Sequence, residues 1–187
     1  GSSTVTASSS GGSSEKGEVK GEETTSCDSG NLIVNGGFEN PNVTNSSDWD
    51  IYANGTDGLG WDVAWTDAVS GAPEVANLEI HNGVNGWSAY VGSQYAELDS
   101  DWGGPADPVY GEEASTIISQ TIDTVPGHKY TLRFAFAARP GTSDADNKLA
   151  VYIDGGLFDG STTSSGEGLT NPYWIVREYV FTAYNSQ

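Results

Sequence analysis

The chain of 187 residues is poor in basic side chains, with 7 Lys and Arg against 26 Asp and Glu and a formal net charge of -19. Nucleic acids and anionic membrane surfaces are bound through basic patches, so this deficit argues against both as partners. The single cysteine, Cys27, excludes an internal disulfide, and with only His81 and His128 it cannot build a Cys/His zinc site. No apolar run approaches the roughly 18–20 residues of a membrane span, so we expect no membrane insertion.

The first thirty residues differ in composition from the rest of the chain. They contain no aromatic residue, no Leu and no Ile, and are dominated by Ser, Thr, Gly and Glu. Such a segment buries too little apolar surface to offset its ordering entropy, which predicts a flexible linker over residues 1–30. The linker carries five acids and two lysines, so a net charge of -16 falls on the predicted domain over residues 31–187.

After residue 30 the chain shows short alternating patterns between turn residues. In the stretch 130–138 (YTLRFAFAA), Tyr130, Leu132, Phe134 and Phe136 share one face of an extended chain. Many short strands with Gly, Pro, Asn and Asp between them predict an all-β fold, an antiparallel β-sandwich or jelly roll. The other candidate strands are 50–53, 61–65, 74–80, 88–91, 94–99, 116–122, 149–153 and 174–184.

Several blocks of sequence appear in the order found in one group of secreted sugar-binding domains. They are 31–39 (NLIVNGGFE), 60–61 (GW), 92–100 (GSQYAELDS), 118–134 (ISQTIDTVPGHKYTLRF) and 138–141 (ARPG), followed by 147–151 (NKLAV). The chain resembles galactose-binding-like jelly rolls over residues 31–184. This group includes carbohydrate-binding modules of families four, nine and twenty-two, plant cell-wall domains and sugar-binding domains of bacterial adhesins. The resemblance implies a secreted or cell-surface domain that binds a polysaccharide or glycan.

The resemblance also implies strands that the sequence does not show. Domains of this group usually continue for two more strands and end near a Leu/Ile-Asp-Asn-Val segment, and nothing similar follows Tyr184. We therefore expect the fold to lack its last strands and to expose a sheet edge, which a strand from a neighbouring chain could cover. The alternative function is thus a structural subunit of an extracellular filament or adhesin, a homo-oligomer formed by strand donation. The polar run STVTA near the N-terminus is a poor but possible donor.

Calcium is the cofactor that the acidic sequence favours. Ca²⁺ takes six to eight oxygens from carboxylates, amides and carbonyls on loops rich in Gly, Asp and Asn. Glu39 follows a Gly-Gly turn, and the resemblance implies that this Glu and nearby carbonyls hold a structural calcium ion. Asp99 and Asp101 point to the same side of an extended chain and are further candidate ligands.

A sugar site requires aromatic faces together with polar side chains. The aromatic candidates lie in stretches rich in Gly, Asn and Asp, where exposed side chains are common: Trp65, Trp87, Tyr90, Trp102 and Tyr110. Glu79, His81 and Asn82 could supply polar contacts. Trp61 and Trp174 are predicted to be core residues.

Catalysis is the less favoured hypothesis. A glycoside hydrolase needs a pair of carboxylates about 5–9 Å apart, and no motif in the sequence marks one. The stretch 86–90 (GWSAY) lacks the last Gly of a nucleophile elbow, and no phosphate-binding Gly loop is present. We therefore expect a non-catalytic, calcium-stabilised carbohydrate-binding domain.

Overall fold

The computed structural model describes residues 2–10, 13–21, 30–66, 71–107 and 113–184. These residues form strands, turns and one 3₁₀ turn at Val84–Gly86, and contain no α-helix. The strands are β1 (Ser2–Ser10), β2 (Ser13–Gly21), β3 (Trp49–Ala53), β4 (Asp62–Trp65), β5 (Asn77–His81), β6 (Tyr95–Glu97), β7 (Asp99–Asp101), β8 (Glu113–Asp123), β9 (Lys129–Ala138), β10 (Lys148–Ile153), β11 (Gly156–Thr163) and β12 (Ile175–Thr182). No helix in the described part of the chain has the length and apolar character needed to cross a membrane.

Two six-stranded sheets contain all twelve strands. The first sheet has the order β11-β10-β1-β8-β4, with β7 also paired to β8, and the second has the order β12-β9-β2-β6-β5-β3. Every recorded strand pair is antiparallel. The prediction of an all-β antiparallel sandwich is therefore confirmed.

The alternation predicted for residues 130–138 places the core correctly. Leu132, Phe134 and Phe136 are buried in the apolar cluster between the sheets. The neighbouring strand β12 adds Phe181, whose ring stacks on Tyr130 with centroids 5.7 Å apart. Because successive side chains of a strand point to opposite faces, this register fixes which residues of the second sheet point away from the core.

Some strand boundaries differ from those predicted. Residues 88–91 form no strand, and the last two of them are bends. The predicted strand over 94–99 divides at Leu98, which is fully buried, so that β6 joins the second sheet and β7 pairs with β8. Strand β11 was not predicted, because Gly and Thr interrupt its apolar alternation.

The N-terminal residues are the largest difference. Composition predicts a linker over residues 1–30, and the structure corrects this for residues 2–10 and 13–21, which form β1 and β2. Each of these strands lies between two others in its sheet: β1 pairs on both sides over residues 5–8, and β2 pairs on both sides at Ser14 and Glu15. Main-chain pairing needs no large side chain, so a polar composition does not exclude it. Strands β1 and β2 thereby occupy one interior position in each sheet.

Candidate functional site

The outer face of the second sheet carries an unusual set of polar residues. On β5, Leu78 and Ile80 point to the core, so Glu79 and His81 point outward. On β6, Ala96 points to the core and Glu97 points outward, directly opposite Glu79 in the strand register. Two carboxyl groups thus face each other across neighbouring strands, where like charges are unfavourable.

Hydrogen bonds join these outward residues to the end of strand β7 and to a tyrosine. The Tyr95 hydroxyl lies 3.2 Å from His81 Nδ1, and His81 Nε2 lies 2.5 Å from Glu79 Oε1. The Asp101 backbone N–H donates to Glu79 Oε2 at 2.9 Å. Burial raises the pKa of Tyr95, so its hydroxyl keeps its proton and can donate to Nδ1 while Nε2–H donates to Glu79. The Glu79 carboxylate is therefore held in one orientation.

A cavity of about 220 Å³ opens beside this network. It is lined by Trp49, Glu79, His81, Val84, Asp99, Asp101 and Arg139, and we call it the acidic pocket. The pocket combines one cation, three carboxylates, an imidazole and an indole. This is a set of hydrogen-bonding groups with both donors and acceptors next to an apolar surface.

Glu97, opposite the pocket residue Glu79 in the strand register, is 3% exposed and is not among the residues that line the acidic pocket. Its Oε1 atom is buried without a hydrogen-bond partner among the described residues. Burial raises the pKa of Glu97 to about 7, with Glu79 and Asp99 adding to the rise and His81 and Arg139 opposing it. These four residues line the acidic pocket, so the charge of Glu97 is linked to that of the pocket.

Aromatic rings continue from the pocket across the same face. Trp49 and His81 have ring centroids 6.4 Å apart, and His81 and Tyr95 5.1 Å. Trp174 follows at 5.6 Å from Tyr95, and Tyr90 at 6.5 Å from Trp174. His81 and Tyr95 are buried, whereas Tyr90 is 38% exposed and both tryptophans are half-buried. We call these five residues the aromatic row.

The predicted sugar-binding residues separate into several places. Glu79 lines the acidic pocket and Tyr90 ends the aromatic row. Trp65 and Trp102 instead pack edge to face with each other, and neither lines the pocket. Trp87 is buried and donates its indole N–H to the Thr170 carbonyl oxygen.

Two other predicted contacts have different outcomes. Tyr110 lies outside the described residues. The Asn82 amide donates to the Val43 carbonyl at 3.3 Å and is not among the residues that line the pocket.

The predicted calcium ligands do not form one cluster. Asp99 and Asp101 line the acidic pocket, whereas Glu39 does not. Glu39 accepts hydrogen bonds from the Ser93 and Gln94 backbone N–H groups and from the Ser93 hydroxyl. Among the residues placed by the structure, no group of three or more His, Cys, Asp or Glu side chains could hold a metal ion.

Sequence reasoning missed much of this site. The prediction that Trp61 is a core residue is confirmed, since its ring stacks on Phe38 in the core with centroids 5.6 Å apart. The same prediction for Trp174 is wrong, because this residue is half-buried on the outer face and donates to the Ser88 carbonyl oxygen. Trp49, Tyr95 and Arg139 were not predicted. The sequence did contain one signal: in an extended strand over residues 94–99, Tyr95 and Glu97 lie on the same face.

Comparison of the chain with protein-family models, with curated proteins and with solved structures gave no match.

Proposed function

We propose that the protein is a non-catalytic carbohydrate-binding domain that takes one neutral sugar unit in the acidic pocket. The observation that carries this proposal is the adjacency of the acidic pocket and the aromatic row on one sheet face. Drug-sized ligands occupy pockets of roughly 300–1,000 Å³. The cavity of about 220 Å³ is smaller, which favours a single monosaccharide unit.

The pocket contains the chemistry that sugar hydroxyls need. The carboxylates of Glu79 and Asp101 can accept hydrogen bonds, and the Arg139 guanidinium can donate them. Glu79 is already oriented by His81 and by the Asp101 backbone N–H, so little side-chain freedom is lost on binding. The apolar face of a sugar ring can rest on Trp49 at the rim.

Charge restricts the class of sugar. Asp99, Asp101 and Glu79 surround the pocket, and the whole chain has a net charge of -19. A uronic or sialic acid would bring a carboxylate toward these groups, and like-charge contacts are costly at short range. We therefore propose that neutral sugars bind and that acidic sugars are rejected.

The setting proposed for this function is outside the cell. The sequence blocks that resemble those of carbohydrate-binding modules support it, as does the all-β sandwich. A highly acidic surface suits a salty medium, in which its self-repulsion is screened. The partner is accordingly a polysaccharide or glycan.

A structural calcium ion at the Glu39 turn is a further part of the proposal. The Phe38 and Pro41 carbonyl oxygens both accept from the Gln94 side-chain amide, while Glu39 accepts from the Gln94 backbone. These oxygens already accept hydrogen bonds from Gln94, so a calcium ion would bind through their remaining lone pairs. The support for this part of the proposal is the preference of calcium for carboxylate and carbonyl oxygens, together with the resemblance of residues 31–39 to a block whose Glu holds calcium. Asp99 and Asp101 belong in this proposal to the sugar pocket.

A glycan array followed by calorimetric titration of the best neutral ligand tests the sugar proposal. Trp49→Ala and Glu79→Gln are expected to weaken binding roughly tenfold or more, since about 1.4 kcal/mol of lost contact corresponds to a tenfold change. Trp102→Ala is the matched control, because this tryptophan lies outside the pocket and its loss should leave affinity unchanged.

Two results would overturn the sugar proposal. Equal losses for Trp49→Ala and Trp102→Ala would show that the pocket is not the binding site, and binding to no neutral glycan would remove the function. The same glycans are also incubated with the protein, and the release of free sugar is measured. If the protein released sugar from a glycan and the Glu79→Gln variant did not, the protein would instead be a glycoside hydrolase. The facing carboxyl groups of Glu79 and Glu97 would then be its catalytic pair.

A further inference from the structure

Each sheet has one interior strand that comes from the N-terminus. Strand β1 pairs with β8 over residues 2–8 and with β10 over residues 5–10. Strand β2 pairs with β9 over residues 13–21 and with β6 at Ser14 and Glu15. Without these two N-terminal strands, the first sheet would separate between β10 and β8, and the second between β9 and β6.

The described side chains of β1 contribute little to its attachment. Its inward residues are Ser3, Val5 and Ala7, all small or of moderate size. A cavity of about 20 Å³ remains where Val5 and Ala7 meet core residues such as Phe38 and Phe134. Native cores leave few such voids, so the place that β1 occupies is larger than the side chains that fill it.

Among the residues whose side chains are described, the rest of the core comes almost entirely from positions after 30. In the buried apolar cluster, Val5 and Ala7 are the only described members that precede Ile33. Strands β8 and β10 would present unpaired backbone groups if β1 left, and such edges readily accept another strand. The gap between β8 and β10 therefore accepts a strand, and β1 is held there chiefly by its backbone hydrogen bonds.

We propose that β1 and β2 are exchangeable and that the same strands from a second copy of this chain can occupy these places. A second copy would form the same backbone pairs, because its sequence is identical, so the exchange costs no specific contact. Only eight residues separate Gly21 from Gly30, which keeps the strands close to their own domain. Short tethers give effective concentrations in the millimolar range, so exchange appears at high protein concentration or after refolding together.

Cysteine cross-linking in the full chain tests this proposal. The hydroxyl oxygens of Thr4 on β1 and Thr121 on β8 lie 3.2 Å apart, so cysteines at these positions can be joined. In a Cys27→Ser background, the Thr4→Cys, Thr121→Cys double variant should cross-link within one chain in dilute solution. Single variants Thr4→Cys and Thr121→Cys, unfolded together and refolded at high concentration, should form a covalent dimer whose yield rises with concentration.

A pair of cysteines on strands that are not exchanged is the matched control. Asp62 on β4 lies opposite Ser119 on β8. Mixed Asp62→Cys and Ser119→Cys variants should give no covalent dimer under the same conditions. A Thr4/Thr121 dimer yield equal to that of this control would overturn the proposal, as would failure of the double variant to cross-link at all.

A cavity-filling substitution provides a second measurement. Ala7→Val adds volume beside the void and should hold β1 more firmly. The rate at which separately folded single variants exchange strands is therefore expected to fall several-fold, while the dilute double variant still cross-links within one chain. An unchanged rate would show that opening of β1 does not limit the exchange, contrary to the proposal.

Discussion

Glu97 is a carboxyl group whose proton affinity is set by the fold. It is buried, and its pKa is raised from 4.5 to about 7, chiefly because burial disfavours the charged form. A raised pKa means that the folded protein binds more protons than the unfolded chain between about pH 4.5 and 7. The stability contributed by this group is therefore complete below pH 4.5 and is lost as the pH rises to about 7.

Glu97→Gln should remove this dependence, because glutamine has the same shape and no titrating group. We expect the variant and the parent to have similar stability at pH 5 and the variant to be more stable at pH 8, by on the order of 3 kcal/mol. Denaturant unfolding across this pH range measures the difference. Glu178→Gln is the control, since its side chain is 60% exposed. Parallel stability curves for parent and Glu97→Gln would contradict the prediction.

The burial of a single residue could be predicted from sequence only where the apolar alternation of its own segment determined it. Trp61, directly before β4, belongs to the core because it continues the alternation in which Val63 is buried and Asp62 is exposed. The same reasoning wrongly placed Trp174 in the core, because the second sheet carries large aromatic rings on its outer face as well. The importance of Glu97 depends on its opposite neighbour Glu79, and strand register is not visible in a single sequence.

At the scale of elements, the segment 38–43 is held by one side chain. Gln94 is fully buried, and its Oε1 accepts from the Val43 backbone N–H at 2.7 Å. Its Nε2 donates to the carbonyl oxygens of Phe38 and Pro41. A single amide thus satisfies three backbone groups of the segment that connects the opening turn to the second sheet.

Gln94→Leu keeps the approximate volume and leaves those three backbone groups without their partner. An unsatisfied buried polar group costs about 1–3 kcal/mol, so we expect a loss of about 3 kcal/mol in the free energy of unfolding. Asn171→Leu is the control, because that amide is exposed and should change stability by less than about 0.5 kcal/mol. Urea unfolding measures both, and equal midpoints for the two variants would show that the Gln94 amide does not hold the segment 38–43.

Strands differ in how far their own sequence specifies them. Strand β9 alternates apolar residues over its length, so both its existence and its buried face could be predicted. Strands β1 and β2 could not be predicted from their own sequence. They form because β8 and β10 in one sheet, and β9 and β6 in the other, are separated by the width of one strand. Composition reports what a segment can bury, and it carries no information about which backbone edges elsewhere need a partner.

For the whole molecule, the dominant physical property is its negative charge. A net charge of -19 on 187 residues destabilises the compact state by self-repulsion. The screening length falls from about 30 Å at 0.01 M salt to about 8 Å at 0.15 M. The melting temperature should therefore rise with sodium chloride over this range, and most steeply at the low-salt end.

A calcium site would add an effect that screening cannot produce. Calcium and magnesium chloride at equal ionic strength screen equally, whereas a site built from the Glu39 carboxylate and backbone carbonyls favours the larger ion, which accepts more oxygen ligands. We expect calcium to raise the melting temperature beyond magnesium, with saturation, and a chelator to reverse the excess. Glu39→Gln should remove only the calcium-specific part, while the response to sodium chloride persists. Equal shifts for the two ions would contradict a calcium site and leave the sugar pocket untouched, since Glu39 is not among its lining residues.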